Sequence, residues 1–122
     1  MAYYDIQRHP RYQEIRVEGG LTWDLVREII TELAKAEDFP TLHALWTFGP
    51  NVRPLAFHEF DRVIGLLEAL YARGPTAKKV ALVVPVSFAR ATAELFVKQA
   101  GGLPIELRVF STRADAAAWL GV

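Results

Sequence analysis

The residues that most often perform catalysis are few in this sequence, and their spacing is not that of a reactive site. Its three histidines, His9, His43 and His58, are not spaced as two metal ligands on one helix face. There is no cysteine to complete a zinc set or to act as a thiolate nucleophile. We therefore expect no metal site, and we interpret the histidines as surface or capping residues.

Other catalytic groups are not indicated either. Ser87 and Ser111 lie outside any G-x-S-x-G turn and stand near predicted helix starts, where capping explains them. Glu14, Glu18 and Asp24 occupy alternating or outer helical positions, which is typical of solvated charges. The glycines of "AGGLP" end a helix rather than begin one, so they do not form a phosphate loop. We expect a non-enzymatic protein without a cofactor.

Aromatic residues and two arginines form the most suggestive group. Strand carboxyl ends and helix amino ends lie at the same edge of a parallel sheet, so these residues are predicted to gather there as a binding rim. Such a rim suits an amphipathic ligand, a protein contact or a dimer contact, and core packing explains its aromatic members equally well. The candidate binding residues are Trp23, Trp46, Phe48, Asn51, Arg53, Phe57, Phe88 and Arg90.

The two arginines have a more specific alternative. Arg53 lies in the loop that follows a predicted strand, and Arg90 lies in the first turn of a predicted helix. If they converge near helix amino ends, they could hold a carboxylate or phosphate group. The alternative is that each is an ordinary exposed arginine.

Length and composition indicate one globular domain spanning residues 1–122. The chain has 52% hydrophobic and 23% charged residues, and its fourteen basic and fourteen acidic side chains cancel. Zero net charge gives no electrostatic reason to expect binding to nucleic acid or anionic membranes. The amino terminus lacks the pattern of a signal peptide, and the longest apolar run, residues 80–86, is too short to span a bilayer. We expect a cytoplasmic location.

Apolar periodicity predicts alternating strands and helices. Residues 3–9 and 12–19 predict an antiparallel hairpin at a sheet edge, and residues 79–86 predict a strand covered on both faces. Further strands are predicted at 43–48 and 105–110, and helices at 23–36, 57–72 and 88–99 and at a short segment ending at 119–120. The predicted N-caps are Thr22, Ser87 and Thr112, and Gly74-Pro75 is predicted to stop the second helix. This order indicates an α/β fold with right-handed crossovers.

Three stretches, "RVEGGLTWDLV", "KKVALVVPVSFARATAELF" and "LRVFSTRADAAAWL", resemble the SpoIIAA-like branch of the STAS superfamily. These are small bacterial domains that are also compared with CRAL-TRIO lipid-transfer proteins. The resemblance covers nearly the whole chain. It implies a mixed, mostly parallel sheet of about five strands in roughly sequential order, an N-terminal antiparallel hairpin, and four helices mainly on one face.

The resemblance also implies a regulatory turn after the third strand. In phospho-regulated members a serine there is phosphorylated by a partner kinase, and other members often carry an acidic residue. Here Trp46, Thr47 and Phe48 end the strand, and residues 49–56 contain no serine or threonine. We therefore do not expect an anti-sigma-factor antagonist that is switched by phosphoserine.

Two functions remain open. The first is a regulatory or protein-interaction module that binds another protein or forms a homodimer, for which the exposed hairpin edge is an additional candidate contact. The alternative is a binder or carrier of a small amphipathic or lipid-like ligand near the third strand–helix turn. The ligand alternative predicts an apolar cavity of about a few hundred Å³ behind that turn.

Overall fold

A computed structural model describes residues 3–71 and 78–122, and within these ranges five strands form one sheet. The strands follow the sequence in the order β1-β2-β3-β4-β5. The first pair is antiparallel and every other neighbouring pair is parallel. The predicted edge hairpin and mixed α/β sheet are thus confirmed. The strands are β1 (Tyr3–Arg8), β2 (Tyr12–Glu18), β3 (His43–Phe48), β4 (Lys79–Val83) and β5 (Glu106–Phe110).

Helices cover both faces of this sheet unequally. Ala44, Trp46 and Phe48 of β3 pack on one face against the first three helices, whereas Leu45 packs on the other face against the last helix. Alternation along a strand produces this division, and the prediction of helices mainly on one face is confirmed. The helices are α1 (Trp23–Leu33), α2 (Phe60–Leu70) preceded by a 3-10 turn (Phe57–Glu59), α3 (Ser87–Gln99) and α4 (Arg113–Leu120).

Strand β4 is buried between the two helical layers, as its apolar sequence predicts. Val80 belongs to the core beneath α1–α3, while Ala81 and Val83 pack against α4. The strand ends at Val83 rather than at residue 86. The backbone N–H of Val84 still donates to the Phe110 carbonyl at 2.9 Å, but Pro85 has no N–H to continue the pairing.

The helix caps agree with the sequence at two of three positions. The hydroxyl of Thr22 accepts from the Leu25 amide at 3.2 Å, and that of Thr112 accepts from the Asp115 amide at 3.3 Å. The prediction for Ser87 is wrong, because Val86 is the N-cap residue and its side chain makes no cap hydrogen bond. Val86 has the extended backbone of an N-cap, and Ser87 is already helical.

The first two helices differ from their predicted bounds. Helix α1 ends at Leu33 instead of residue 36, because the next residues form tighter turns in which the amide of Ala36 donates to the Leu33 carbonyl. The second helix begins with the 3-10 turn and is regular from Phe60 to Leu70. The predicted stop at Gly74-Pro75 lies outside the described residues.

The expectation that Glu14 is solvated is wrong. This β2 residue is only 3% exposed, and its two carboxylate oxygens each accept a 2.9 Å hydrogen bond from the Arg113 guanidinium at the start of α4. His9 Nε2 lies 3.5 Å from the same carboxylate. Hydrogen bonding to Arg113 lowers the pKa of Glu14, so the buried group stays ionised and ties α4 to β2.

We expect Arg113→Ala to lower the free energy of unfolding by about 2 kcal/mol at pH 7, because it strands a buried carboxylate. Glu14 has a lowered pKa in the folded protein, so the pair contributes stability above pH 4.5, its ordinary value. This contribution is lost as the pH falls through the folded-state pKa. The difference between wild type and variant in urea unfolding should therefore shrink in acid.

Arg27→Ala is the matched control, because Arg27 and Asp24 form an exposed pair at 3.7 Å. It should change the free energy of unfolding by less than about 0.5 kcal/mol. Equal effects of the two substitutions would show that the Glu14–Arg113 pair does not stabilise the fold.

Candidate binding cavity

A largely apolar cavity of about 140 Å³ lies between the sheet and helices α1–α3. The sheet contributes Trp46, Phe48 and Leu82, while Phe60 of α2 and Phe96 of α3 lie on the helical side. An apolar cavity of about 150 Å³ can stay dry and bind benzene. The space is therefore large enough for one small apolar molecule, and it is smaller than the few hundred Å³ that the ligand alternative predicts.

Strand β3 and the following loop form one end of this cavity. Trp46 and Phe48 are both buried, with ring centroids 6.1 Å apart, and Val52 and Leu55 of the loop join them in the wall. An isolated bridge between Gly20 and Arg53 fastens the loop to the connection between β2 and α1. The Leu21 amide donates to the Arg53 carbonyl at 2.9 Å, so the position of the loop is fixed by backbone bonding.

The eight predicted rim residues do not form one cluster. Trp46 and Phe48 line the cavity, whereas Phe57 is 63% exposed and Phe88 is 75% exposed. Trp23 is half-buried, with its backbone amide donating to Glu59 Oε2 at 3.0 Å, and Asn51 is exposed. Of the five predicted aromatics, two are buried and line the cavity, two are exposed at the starts of the neighbouring helical segments, and Trp23 is half-buried.

The two arginines are tied to different segments. Arg90 donates from Nε to the Val84 carbonyl and from Nη2 to the Pro85 carbonyl, both at 3.0 Å, and so holds the chain after β4. The side chain of Arg53 packs against Gly20, where an added Cβ would lie 3.3 Å from its Nε. The two guanidinium groups thus contact different segments of the chain.

Helix α3 forms the least buried part of the wall. It contributes Ala89, Thr92, Ala93 and Phe96 to the cavity, yet Ala89 is its single buried residue. By contrast, α1 buries four residues and α2 buries three. At its end, Gln99 Nε2 donates to Asp61 Oδ1 of α2 at 2.7 Å.

A buried amine interrupts the apolar wall. Lys78, immediately before β4, is 2% exposed and lines the cavity. Its Nζ donates to the Phe39 carbonyl at 3.0 Å and lies 3.6 Å from the centroid of the Phe39 ring. Burial lowers the pKa of Lys78 to about 7. The amine is consequently much less often protonated at neutral pH than an exposed lysine.

Tyr71 also lies near this amine. Its ring centroid lies 5.2 Å from Lys78 Nζ and 5.5 Å from the Phe39 ring. Burial raises the pKa of Tyr71, so its phenol remains protonated at neutral pH. The amine therefore lies close to two stacked aromatic rings.

Lys78 is not among the residues predicted to form a site, although the alternation of β4 contains a signal for it. Residues 78, 80 and 82 share one face of an extended chain, and Val80 and Leu82 face the cavity. Lys79 faces the other way, and its Nζ donates to the Trp119 carbonyl of α4 at 3.3 Å. Extending the alternation by one residue beyond the strand would have placed Lys78 inside.

Within residues 3–71 and 78–122, no group of three or more His, Cys, Asp or Glu side chains is placed to hold a metal ion. In the same ranges, no helix has both the length and the apolar character needed to cross a membrane.

His43 is half-buried and connects two strands. Its Nδ1 accepts a hydrogen bond from the Lys79 amide at 3.0 Å, and burial lowers the pKa of the ring. Its neutral ring thus joins β3 to β4.

We expect Lys78→Met to change the pH dependence of stability. The Lys78 pKa is about 7 in the folded protein and 10.5 ordinarily, so the unfolded chain binds more protons between these values. Wild-type stability should rise with pH across that window, by at most about 1.4 kcal/mol per pH unit from this group. The variant should lack that contribution in urea unfolding at several pH values.

Lys79→Met is the matched control, since its side chain lies on the opposite face of the sheet. It should retain the wild-type slope of unfolding free energy against pH. The interpretation of Lys78 would be wrong if Lys78→Met also retained that slope.

The fold of this chain is similar to that of a solved bacterial structure. Scans against protein-family models and curated proteins find no match. A solved structure of an uncharacterised DUF3478-family protein from Shewanella loihica PV-4, described as having a SpoIIAA-like fold, superposes with a TM-score of 0.61. The match covers 98% of this chain and 93% of the other at 17% sequence identity. Together with the sheet order, it shows that this chain has the SpoIIAA-like fold that its sequence predicts.

Proposed function

We propose that this domain binds a small, mainly apolar ligand in the cavity between its sheet and α1–α3. The proposal depends on one observation, the cavity of about 140 Å³. Trp46 and Phe48 form part of its wall. These two aromatics were candidates for a protein contact as well. Because both are buried, they are placed to contact an enclosed molecule rather than another protein surface.

The volume indicates what size of ligand fits. Pockets for drug-sized ligands usually measure about 300–1,000 Å³, so this space suits a single ring or a short chain. A whole lipid would require the wall to move. The nearly apolar wall favours a molecule with few polar atoms, because a buried polar group without a hydrogen-bond partner opposes binding.

A protein-interaction module is the second candidate. Phe57 and Phe88 expose large apolar rings at the starts of the 3-10 turn and α3, and the Phe57 ring lies 5.0 Å from that of buried Phe60. Aromatic residues are enriched at the centres of protein interfaces. A homodimer or a complex with another protein would cover these rings.

Benzene is a suitable probe of the cavity because its size matches the space. We expect it to shift the NMR signals of residues lining the cavity and to raise the melting temperature progressively as its concentration increases. Ala93→Leu adds side-chain volume at the cavity wall and should weaken benzene binding by about tenfold, equivalent to about 1.4 kcal/mol.

Ala91→Leu is the matched control, because Ala91 is exposed on the same helix. It should leave benzene affinity unchanged. The ligand proposal would be overturned if folded wild-type protein showed no benzene-dependent shifts, or if both alanine substitutions weakened binding equally. If benzene binds as expected, native mass spectrometry of freshly purified protein would identify any retained natural ligand.

The second candidate predicts self-association or capture of a partner through the exposed rings. If the protein forms a homodimer in this way, the double variant Phe57→Ser, Phe88→Ser should raise the dimer dissociation constant by at least about tenfold. Analytical ultracentrifugation would measure this change as a shift toward the monomer. Benzene binding should persist in this double variant. Unchanged association of a folded variant would exclude the two rings as the contact.

A further inference from the structure

Lys78 differs from the other lysines in the surface that its side chain occupies. The sequence has four lysines. Lys35 and Lys98 are exposed, and Lys79 packs toward α4. Lys78 alone among the four lines the apolar cavity. A primary amine in a water-poor pocket is a recognised nucleophile toward carbonyl compounds.

We infer that Lys78 is a covalent binding site for a small apolar aldehyde, which it captures as a reversible imine. This inference rests on the proposed function, since the aldehyde must first occupy the cavity. The Nζ lone pair attacks the carbonyl carbon and gives a carbinolamine. Loss of water then forms the C=N bond, with the carbonyl oxygen leaving with both amine hydrogens. No oxidant or reductant is required.

The charge of the ligand decides between a carbonyl compound and a carboxylate. A carboxylate would require two charges to be buried, and its oxygens would need additional hydrogen-bond donors. The wall around the amine is supplied mainly by apolar and aromatic side chains such as Phe39, Val80 and Leu33. An aldehyde enters uncharged and needs no charged partner. The cavity chemistry therefore favours the neutral carbonyl group.

The immediate neighbours of Nζ also suit the product. The Phe39 carbonyl, 3.0 Å from Nζ, can accept a hydrogen bond from a protonated imine. The Phe39 ring centroid lies 3.6 Å away, within the range at which an aromatic face attracts a cation. The carbonyl and the ring of Phe39 can thus both stabilise the iminium form.

The acidity of Lys78 provides supporting evidence. With a pKa of about 7, about half of its amine is the nucleophilic neutral form at pH 7. An exposed lysine with an ordinary pKa has fewer than about one neutral amine in a thousand at that pH. The preference for Lys78 over the exposed lysines should therefore persist at neutral pH and fall as the pH rises toward the ordinary lysine pKa.

The test uses benzaldehyde with sodium cyanoborohydride, which reduces an imine to a stable secondary amine. Full-length protein is treated at pH 7, and the modified lysines are located by peptide mass mapping. We expect Lys78 to be modified at least about tenfold faster than each of the other lysines, with the preference lost in urea. Lys78→Met should remove this fast modification, and Lys79→Met should retain it.

Two outcomes separate this inference from the cavity proposal. If benzene binds but Lys78 is modified no faster than the exposed lysines, the covalent site is refuted and the cavity proposal stands. If neither benzene binding nor selective modification occurs, both fail. Mapping the wild-type protein decides the question even if Lys78→Met does not fold.

Discussion

The burial of β4 on both faces is the constraint on which the rest of the structure depends. A central parallel strand must satisfy its backbone in the sheet and offer apolar side chains in both directions. The backbone of β4 pairs with β3 and β5. Val80 supplies an apolar side chain to one face of the sheet, and Val83 supplies one to the other. The helices then have to form a layer on each face, and the cavity arises in one of those layers.

The two layers solve the packing problem differently. On the α4 side, the small residues Ala81 and Ala116 belong to one buried cluster. On the other side, large rings such as Trp46 and Phe60 separate the sheet from the helices and leave a space between them. The cavity therefore lies in the layer of α1–α3.

Local signals explain how much of this fold the sequence predicts. Alternation of apolar residues correctly predicts the hairpin and β3, and Thr22 and Thr112 mark two helix starts because each cap bond spans only three residues. Ser87 misleads because a cap depends on one backbone conformation, which its neighbour Val86 adopts.

The site is less predictable because its properties depend on distant partners. Glu14 finds Arg113 ninety-nine residues away, and no local pattern indicates that pairing. Likewise, the aromatics predicted at the sheet edge have similar side chains, but Trp46 and Phe48 are buried whereas Phe57 and Phe88 are exposed. Their division follows from the register of β3 and the loop bridge at Gly20 and Arg53, both of which are tertiary features.

The shallow burial of α3 has a consequence for the dynamics of the cavity. Local opening of a protein requires least free energy where the fewest apolar contacts must be broken. Helix α3 buries Ala89 alone, whereas the loop beside β3 is fastened by backbone hydrogen bonds. The free energy of local opening should thus be lower for α3 than for α1, and the amide protons of α3 should exchange faster with solvent. If the cavity takes up the proposed ligand, motions of this helix would then set the rate of its entry and exit.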